Sequence, residues 1–232
     1  MHKIRIIAAS DEVSLLDDFE SAVRKNWRKG IKEVNNFQDS RQIKCVGSPW
    51  CPKSTEENIA SAKLICGVLQ ELWSLGWRWH CAIDMSVSVA DKSTFVFSRN
   101  NLSATLGSDS QIGCLQPKGS GKINLVFFPE STLQRVIVGI RRKKWYVPLL
   151  QVKMHGTNCA TVLFRCTDLH RGYKTDEKIR TDKIYTDLLT IIGGSTEGVT
   201  MLGTDDISGN YYSGNNNSYS LDTDAFFFSF AS

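Results

Sequence analysis

"KIRIIAASDEVSLLDDFESAVRKNW", residues 3–27, recurs in altered form as "KINLVFFPESTLQRVIVGIRRKKW", residues 122–145. Each stretch reads as a strand, a turn, an amphipathic helix, a basic cluster and a tryptophan. In the first, Leu16, Phe19, Val23 and Trp27 fall on one helical face with Leu15 and Ala22 beside them, which predicts a helix over about 12–27. In the second, Pro129 stands where a helix start tolerates a missing N–H. Leu133, Val136, Ile137 and Ile140 then mark its core face.

The correspondence extends outward in the same order. "IKCVG" (43–47) is matched with "VKMHG" (152–156), and the helical run at 57–76 with that at 177–194. "WRWHCAIDMS" (77–86) is matched with "GVTMLGTDDIS" (198–208), and "DKSTFVFS" (91–98) with "DTDAFFFS" (222–229). Chance matches need not be collinear, so the order carries more weight than any one segment. The expected fold is α+β: a tandem duplication of a βαβαββ unit, with helices on one face of each antiparallel or mixed sheet. The halves are expected to be related by an approximate two-fold rotation. The expected boundaries are 1–100 for the first repeat, 101–121 for a linker and 122–232 for the second repeat, the two packing as one body or two. Residues 157–175 read as an insertion, in which "ATVLFRC" looks like an extra strand.

Local signals agree. Ser54 and Glu57 have capping-box spacing, Ile59, Ala62, Cys66, Leu69 and Trp73 follow at helical intervals, and Gly76 ends the run. In "LGWRWHCAIDMS" (75–86) strict alternation puts Trp77, Trp79, Cys81, Ile83 and Met85 on one face, and Arg78, His80, Ala82, Asp84 and Ser86 on the other. His80 and Asp84 would then lie ~13 Å apart along the strand, too far for a hydrogen-bonded dyad. The segment reads as a wall of the core. At the C-terminus, residues 209–221 read as a mobile loop, and 224–230 as a final strand that buries Phe226, Phe228 and Phe230.

Composition limits the function classes. The balance of 41% hydrophobic and 22% charged residues is that of a globular protein. No apolar run approaches the ~18 residues of a membrane helix, and the N-terminus turns polar at Ser10 and Asp11, too early for a secretory signal. The seven cysteines are odd in number and contain no CxxC, so reduced thiols, no disulfide and a cytoplasmic setting are expected. Residues 196–232 contain no Lys or Arg, and the rest of the chain carries a formal +9, from 28 basic and 19 acidic residues.

Chemical motifs are few. "PKGSGK" (117–122) lacks the first glycine and the Ser/Thr of a phosphate loop and leads into a strand. His155, Cys159, Cys166 and His170 share one segment without paired ligand spacing, so neither a metal nor another cofactor is expected. No GxSxG elbow occurs, and Cys51, just before the second helix, is the best nucleophile candidate. Two features recur in both halves. Arg24, Lys25, Arg28 and Lys29 close one helix beside Trp27, and Arg141, Arg142, Lys143 and Lys144 close another beside Trp145. Such clusters complement a helix C-terminus, and they also suit phosphates of nucleic acid or an acidic membrane surface. Asp84 and the pair Asp205–Asp206 end equivalent strands, where carboxylates can bind a metal or share a proton. The leading functional expectation is a non-enzymatic binding protein, with a small molecule or a protein held in a groove between the halves. The alternatives are an anion-surface binder acting through the basic clusters, and an enzyme acting through the aspartates or Cys51.

Overall fold

Ile4 and Ile6, alternating with Lys3, Arg5 and Ile7, build the first strand, β1 (Lys3–Ile7), in a computed structural model of the chain. The structure describes residues 3–8, 12, 14–50, 52–83, 94–99, 110–118, 122–143, 149–165, 175–194, 198–206, 210–214, 217–221 and 224–231. It divides into two units, residues 1–104 with 207–209 (unit 1) and 105–206 with 210–232 (unit 2).

In unit 1, β1 is followed by α1 (Ser14–Asn26), β2 (Ile31–Asn36), β3 (Ser40–Cys45), α2 (Thr55–Ser74), β4 (Trp77–Ile83) and β5 (Thr94–Arg99). The order is βαββαββ, one strand more than the repeat read from sequence, because β2 lies in a polar stretch, "IKEVNN". The strands form two antiparallel sheets, β1-β3-β2 and β4-β5. As expected, α1 buries Leu15, Leu16, Phe19, Ala22 and Val23. The α2 residues that join the same core are Leu64, Val68 and Leu72. Of the expected stripe, Ile59, Ala62, Cys66 and Leu69 are buried as well, and Trp73 is half-buried. A helix apolar around most of its circumference does not reveal from sequence which stripe meets the sheet. Gly67 lets α1 approach, since a Cβ there would stand 2.0 Å from Asn26 Oδ1.

Unit 2 opens with β6 (Gln111–Lys118), inside the stretch expected as a linker. The strand was masked by Gly113 and Pro117, both poor strand formers, and by the Gly/Ser-rich flank at 119–121. Pro117 is tolerated because it pairs only with Ile123 of the next strand, and the pairings on the other side of β6 end at Leu115. Next come β7 (Lys122–Val126), α3 (Glu130–Arg142), β8 (Leu149–Met154), β9 (Cys159–Phe164), α4 (Thr175–Gly194) and β10 (Val199–Asp206). Then follow β11 (Asn210–Gly214), β12 (Asn217–Leu221) and β13 (Asp224–Phe230). One antiparallel sheet holds six strands in the order β10-β13-β6-β7-β9-β8. The expected loop at 209–221 contains a two-stranded hairpin, β11-β12. The final strand is present as expected, and Phe226, Phe228 and Phe230 all pack into the core of unit 2 with Leu133, Val136, Ile137 and Ile140 of α3.

Strand registers in the two units run in step. Lys3↔Lys44, Ile4↔Ile43, Arg5↔Gln42, Ile6↔Arg41 and Ile7↔Ser40 join β1 to β3. Lys122↔Leu163, Ile123↔Val162, Asn124↔Thr161, Leu125↔Ala160 and Val126↔Cys159 join β7 to β9. The β2–β3 ladder has a bulge between Ile31 and Glu33, its first and second paired residues, and the β8–β9 ladder has one between Leu149 and Gln151. The β4–β5 ladder is bulged between Trp79 and Cys81, and the β10–β13 ladder at the same step, between Met201 and Gly203. These registers correct one match made from sequence. "IKCVG" takes the place of the strand read as an insertion, Ile43 standing where Val162 stands, at the same offset of 119 residues that relates Lys3 to Lys122.

The bulge also corrects the reading of β4. Trp77 is buried and Trp79 packs on Phe95, with ring centroids 5.3 Å apart. After the bulge it is Ala82, not Cys81, that stands opposite Phe95, and Cys81 is exposed. Strict alternation fails where one extra residue enters a strand.

Candidate functional site

The first basic cluster is largely neutralised within unit 1. Arg24 pairs with Glu20 at 2.7 Å, Lys25 with Glu71, and Lys29 with Glu57 at 2.7 Å. Trp27 is buried and donates its indole N–H to the Val46 carbonyl, so it offers no face for stacking bases. Arg28 is exposed. In the second cluster Lys143 pairs with Asp187 at 3.0 Å, Arg141 and Arg142 are exposed, and Lys144 lies outside the described residues. No ion pair of Arg28, Arg141 or Arg142 occurs among the described residues.

Asp84 and Cys51 also lie outside the described residues. Asp205 and Asp206 end β10 opposite Ala225 and Asp224. Of the described cysteines, Cys45, Cys66, Cys114 and Cys159 are buried and form no disulfide. Burial pushes the Cys45 thiol up to about 11, which keeps it protonated and unreactive near neutral pH. Among the described residues no three His, Cys, Asp or Glu side chains gather as a metal would require. No helix there is long and apolar enough to cross a membrane.

Sequence reasoning missed a polar row on the sheet face of unit 2 that points away from its helices. Gln116, Asn124 and Thr161 are buried there on adjacent strands. Thr161 donates its hydroxyl hydrogen to Asn124 Oδ1 at 2.8 Å, and Asn124 Nδ2 donates to Gln116 Oε1 at 3.3 Å. His155 Nε2 lies 2.9 Å from Thr161 Oγ1. A hydroxyl has one hydrogen, and Thr161 gives it to Asn124, so His155 must be the donor at Nε2. A nitrogen that donates to the hydroxyl cannot take its proton, so the pair is not a nucleophile with its base. The row locks the sheet as a directed chain of hydrogen bonds. It was invisible because its members are spread over 46 residues without a motif spacing.

The same register positions in unit 1 carry a different chemistry. Arg5 and Gln42 stand where Asn124 and Thr161 stand, and Arg5 donates to Gln42 Oε1 at 3.2 Å. The Arg5 guanidinium also lies 5.5 Å from the ring centre of the exposed Phe37. Arg5 and its neighbour Lys3 are exposed, as is Ile7. On the other sheet, His80 Nε2 and Ser98 Oγ meet at 2.5 Å, both exposed, on a two-stranded ladder. Unit 1 therefore presents cations and apolar side chains together along β1, whereas the equivalent strand of unit 2 is buried.

One family model, for a domain without a described function, matches residues 1–98, less than half of the chain and nearly the whole of the main segment of unit 1. No curated protein and no solved structure matches the chain.

Proposed function

We propose that the chain is two copies of one βαββαββ unit and works as a non-enzymatic, cytoplasmic binding protein whose ligand is held by exposed strands of unit 1. The duplication is supported by registers that agree pair for pair and by bulges at the same steps in both ladders. The paired helices have equal lengths, 13 residues for α1 and α3 and 20 for α2 and α4. The observation that carries the binding reading is the contrast along equivalent strands: Lys3, Arg5 and Ile7 are exposed, while Asn124 and Val126 are buried. Against an enzyme stand the donor role of His155 and the burial of the described cysteines other than Cys81. A thermal-shift screen of small molecules, peptides and oligonucleotides on the full chain tests the reading, because a ligand that binds only the folded state raises Tm. Turnover of any hydrolase substrate that is abolished by Asp205→Asn would overturn it and favour the enzyme.

The second reading, an anion-surface binder, rests on the exposure of Arg28, Arg141 and Arg142 without ion pairs among the described residues. Retention on heparin or on acidic liposomes that drops in the triple Gln variant supports it, and unchanged retention removes it.

A further inference from the structure

In unit 2, β6 lies between β13 and β7 and is antiparallel to both. Cys114 of β6 stands between Val126 and Phe227, Leu115 between Leu125 and Phe226, and Gln116 beside Asn124. By register, the strands of unit 1 that correspond to β7 and β13 are β1 and β5. Among the described residues no strand pairs with β5 on its side away from β4, nor with β1 on its side away from β3. The residues that would flank the missing strand are identified in the same way: Ile7 and Val96 for Cys114, Ile6 and Phe95 for Leu115, and Arg5 for Gln116. Ile7 is 68% and Val96 37% exposed, whereas Val126 and Phe227 of unit 2 are each 0% exposed. Phe97 of β5 packs into the same core as Ile4 and Ile6 of β1, so the two edges border one core. The Trp50 indole donates to the Lys3 carbonyl at the end of β1 that corresponds to Lys122 and its partner Lys118.

We infer that unit 1 binds an extended segment of another protein in this position, between β1 and β5, as a strand antiparallel to both. The inference rests on the binding reading above and deepens it. The chemistry of the partner follows from the flanking residues. Backbone N–H and C=O groups of the two edges supply the affinity, and alternate side chains supply the selectivity. A leucine-sized side chain faces Ile6 and Phe95, and a small apolar residue before it lies between Ile7 and Val96. An acidic residue after the leucine meets Arg5. Gln116 at that place in unit 2 accepts from a neutral amide, whereas Arg5 has guanidinium donors beyond the one spent on Gln42, and no carboxylate pairs with it among the described residues.

The test uses the full chain and a fluorescein-labelled peptide with the sequence of residues 110–118 carrying Cys114→Ala and Gln116→Glu, read by anisotropy. Saturable binding is expected, weakened about tenfold or more by Arg5→Glu. Binding to that variant returns when the peptide carries Lys at the acidic position. Ile7→Lys, at an exposed site that the fold does not depend on, weakens binding of both peptides. Absence of saturable binding, or binding indifferent to Arg5→Glu and Ile7→Lys, overturns the inference. Dimerisation of the chain in sedimentation that Ile7→Lys abolishes overturns the proposed partner by assigning the position to a second copy. If the peptide fails while another ligand raises Tm, the strand position falls and the binding reading stands. Catalytic turnover removes the reading itself.

Discussion

The two units share a strand register but differ in how completely their sheets are filled. In unit 2, β6 joins the β10–β13 ladder to β7, β9 and β8 in one sheet, and Gln116, Asn124 and Thr161 on the face away from the helices are buried. In unit 1 the corresponding ladders remain two sheets. Side-chain chemistry follows this difference. The buried row of unit 2 is neutral and hydrogen-bonded, Gln116–Asn124–Thr161, as a low-dielectric setting requires. The exposed β1 carries Lys3 and Arg5. On the helix side the difference is also one of charge. Arg41 ties β3 to α1 by donating to the Leu16 carbonyl at 3.0 Å and to Asp17 and Glu20 at 2.6 and 3.1 Å, whereas its register equivalent is the fully buried Ala160.

Removing a middle strand should break the comparison most completely. Truncation after Asp222 deletes β13, which pairs with both β10 and β6 and buries Phe227, Phe228 and Phe230. At ~2 kcal/mol for each phenylalanine, the apolar burial lost is comparable with a domain's whole stability. Calorimetry of the truncated chain should therefore lose the transition of unit 2 and keep that of unit 1. A full-length melting profile would show that β13 does not complete the sheet.

Two glycines test the close approaches in the two units. A Cβ at Gly113 would stand 2.6 Å from the Phe127 carbonyl oxygen and 2.7 Å from that of Val126, both backbone atoms that cannot step aside. Gly113→Ala should cost about 3 kcal/mol in urea unfolding. At Gly67 the obstacle is the Asn26 side chain, which can turn away at the loss of its 2.9 Å bond to the Ala22 carbonyl, so Gly67→Ala should cost about 1 kcal/mol. The reverse order would mean that the helix contact of unit 1, not the strand insertion of unit 2, is the tighter fit. Between these lies Arg41→Met, expected to cost about 2 kcal/mol because it removes charge-assisted bonds from a group 14% exposed. Its cost should shrink as salt is added; a salt-independent loss would point to lost packing instead.

Much of the α+β pattern was legible because apolar spacing marks the core faces of strands and helices. The strands that begin at Lys3 and Lys122, the phenylalanine strand and both core-facing α1 and α3 stripes fall where the sequence puts them. What escaped had physical causes. Polar β2 has no alternation to detect, β6 is disguised by Gly113 and Pro117, and the bulge after Trp79 shifts the register of the rest of β4. The capping box was read half correctly: Ser54 Oγ accepts from the Glu57 N–H, but Glu57 Oε2 accepts from the Lys53 N–H rather than from that of Ser54. The basic clusters were visible as charge, and Glu20 sits at i,i+4 spacing to Arg24, but Glu57 and Glu71, which pair with Lys29 and Lys25, come from another helix and could be located only in three dimensions.

Glu57 makes the smallest and most specific prediction. Its Oε1 accepts from Lys29 Nζ at 2.7 Å and its Oε2 from the Lys53 N–H at 2.8 Å, so one carboxylate links the end of the α1 basic cluster to the start of α2. The Lys29 hydrogen bond first, and the Lys53 N–H second, hold its carboxyl below the usual glutamate range. A carboxyl with a lower pKa in the folded than in the unfolded chain binds fewer protons when folded. Its contribution is therefore present above the unfolded pKa, ~4.3, and lost as pH falls through the folded pKa. Glu57→Gln keeps a side-chain acceptor but removes the charge. The stability gap between wild type and variant should be small and constant from neutral pH down to about 5, then close as the solution becomes acidic. Lys29→Met should shrink that pH-dependent gap, leaving the part due to Lys53. Denaturant titrations at a series of pH values measure both, and a gap that widens with acid would contradict the assigned sign.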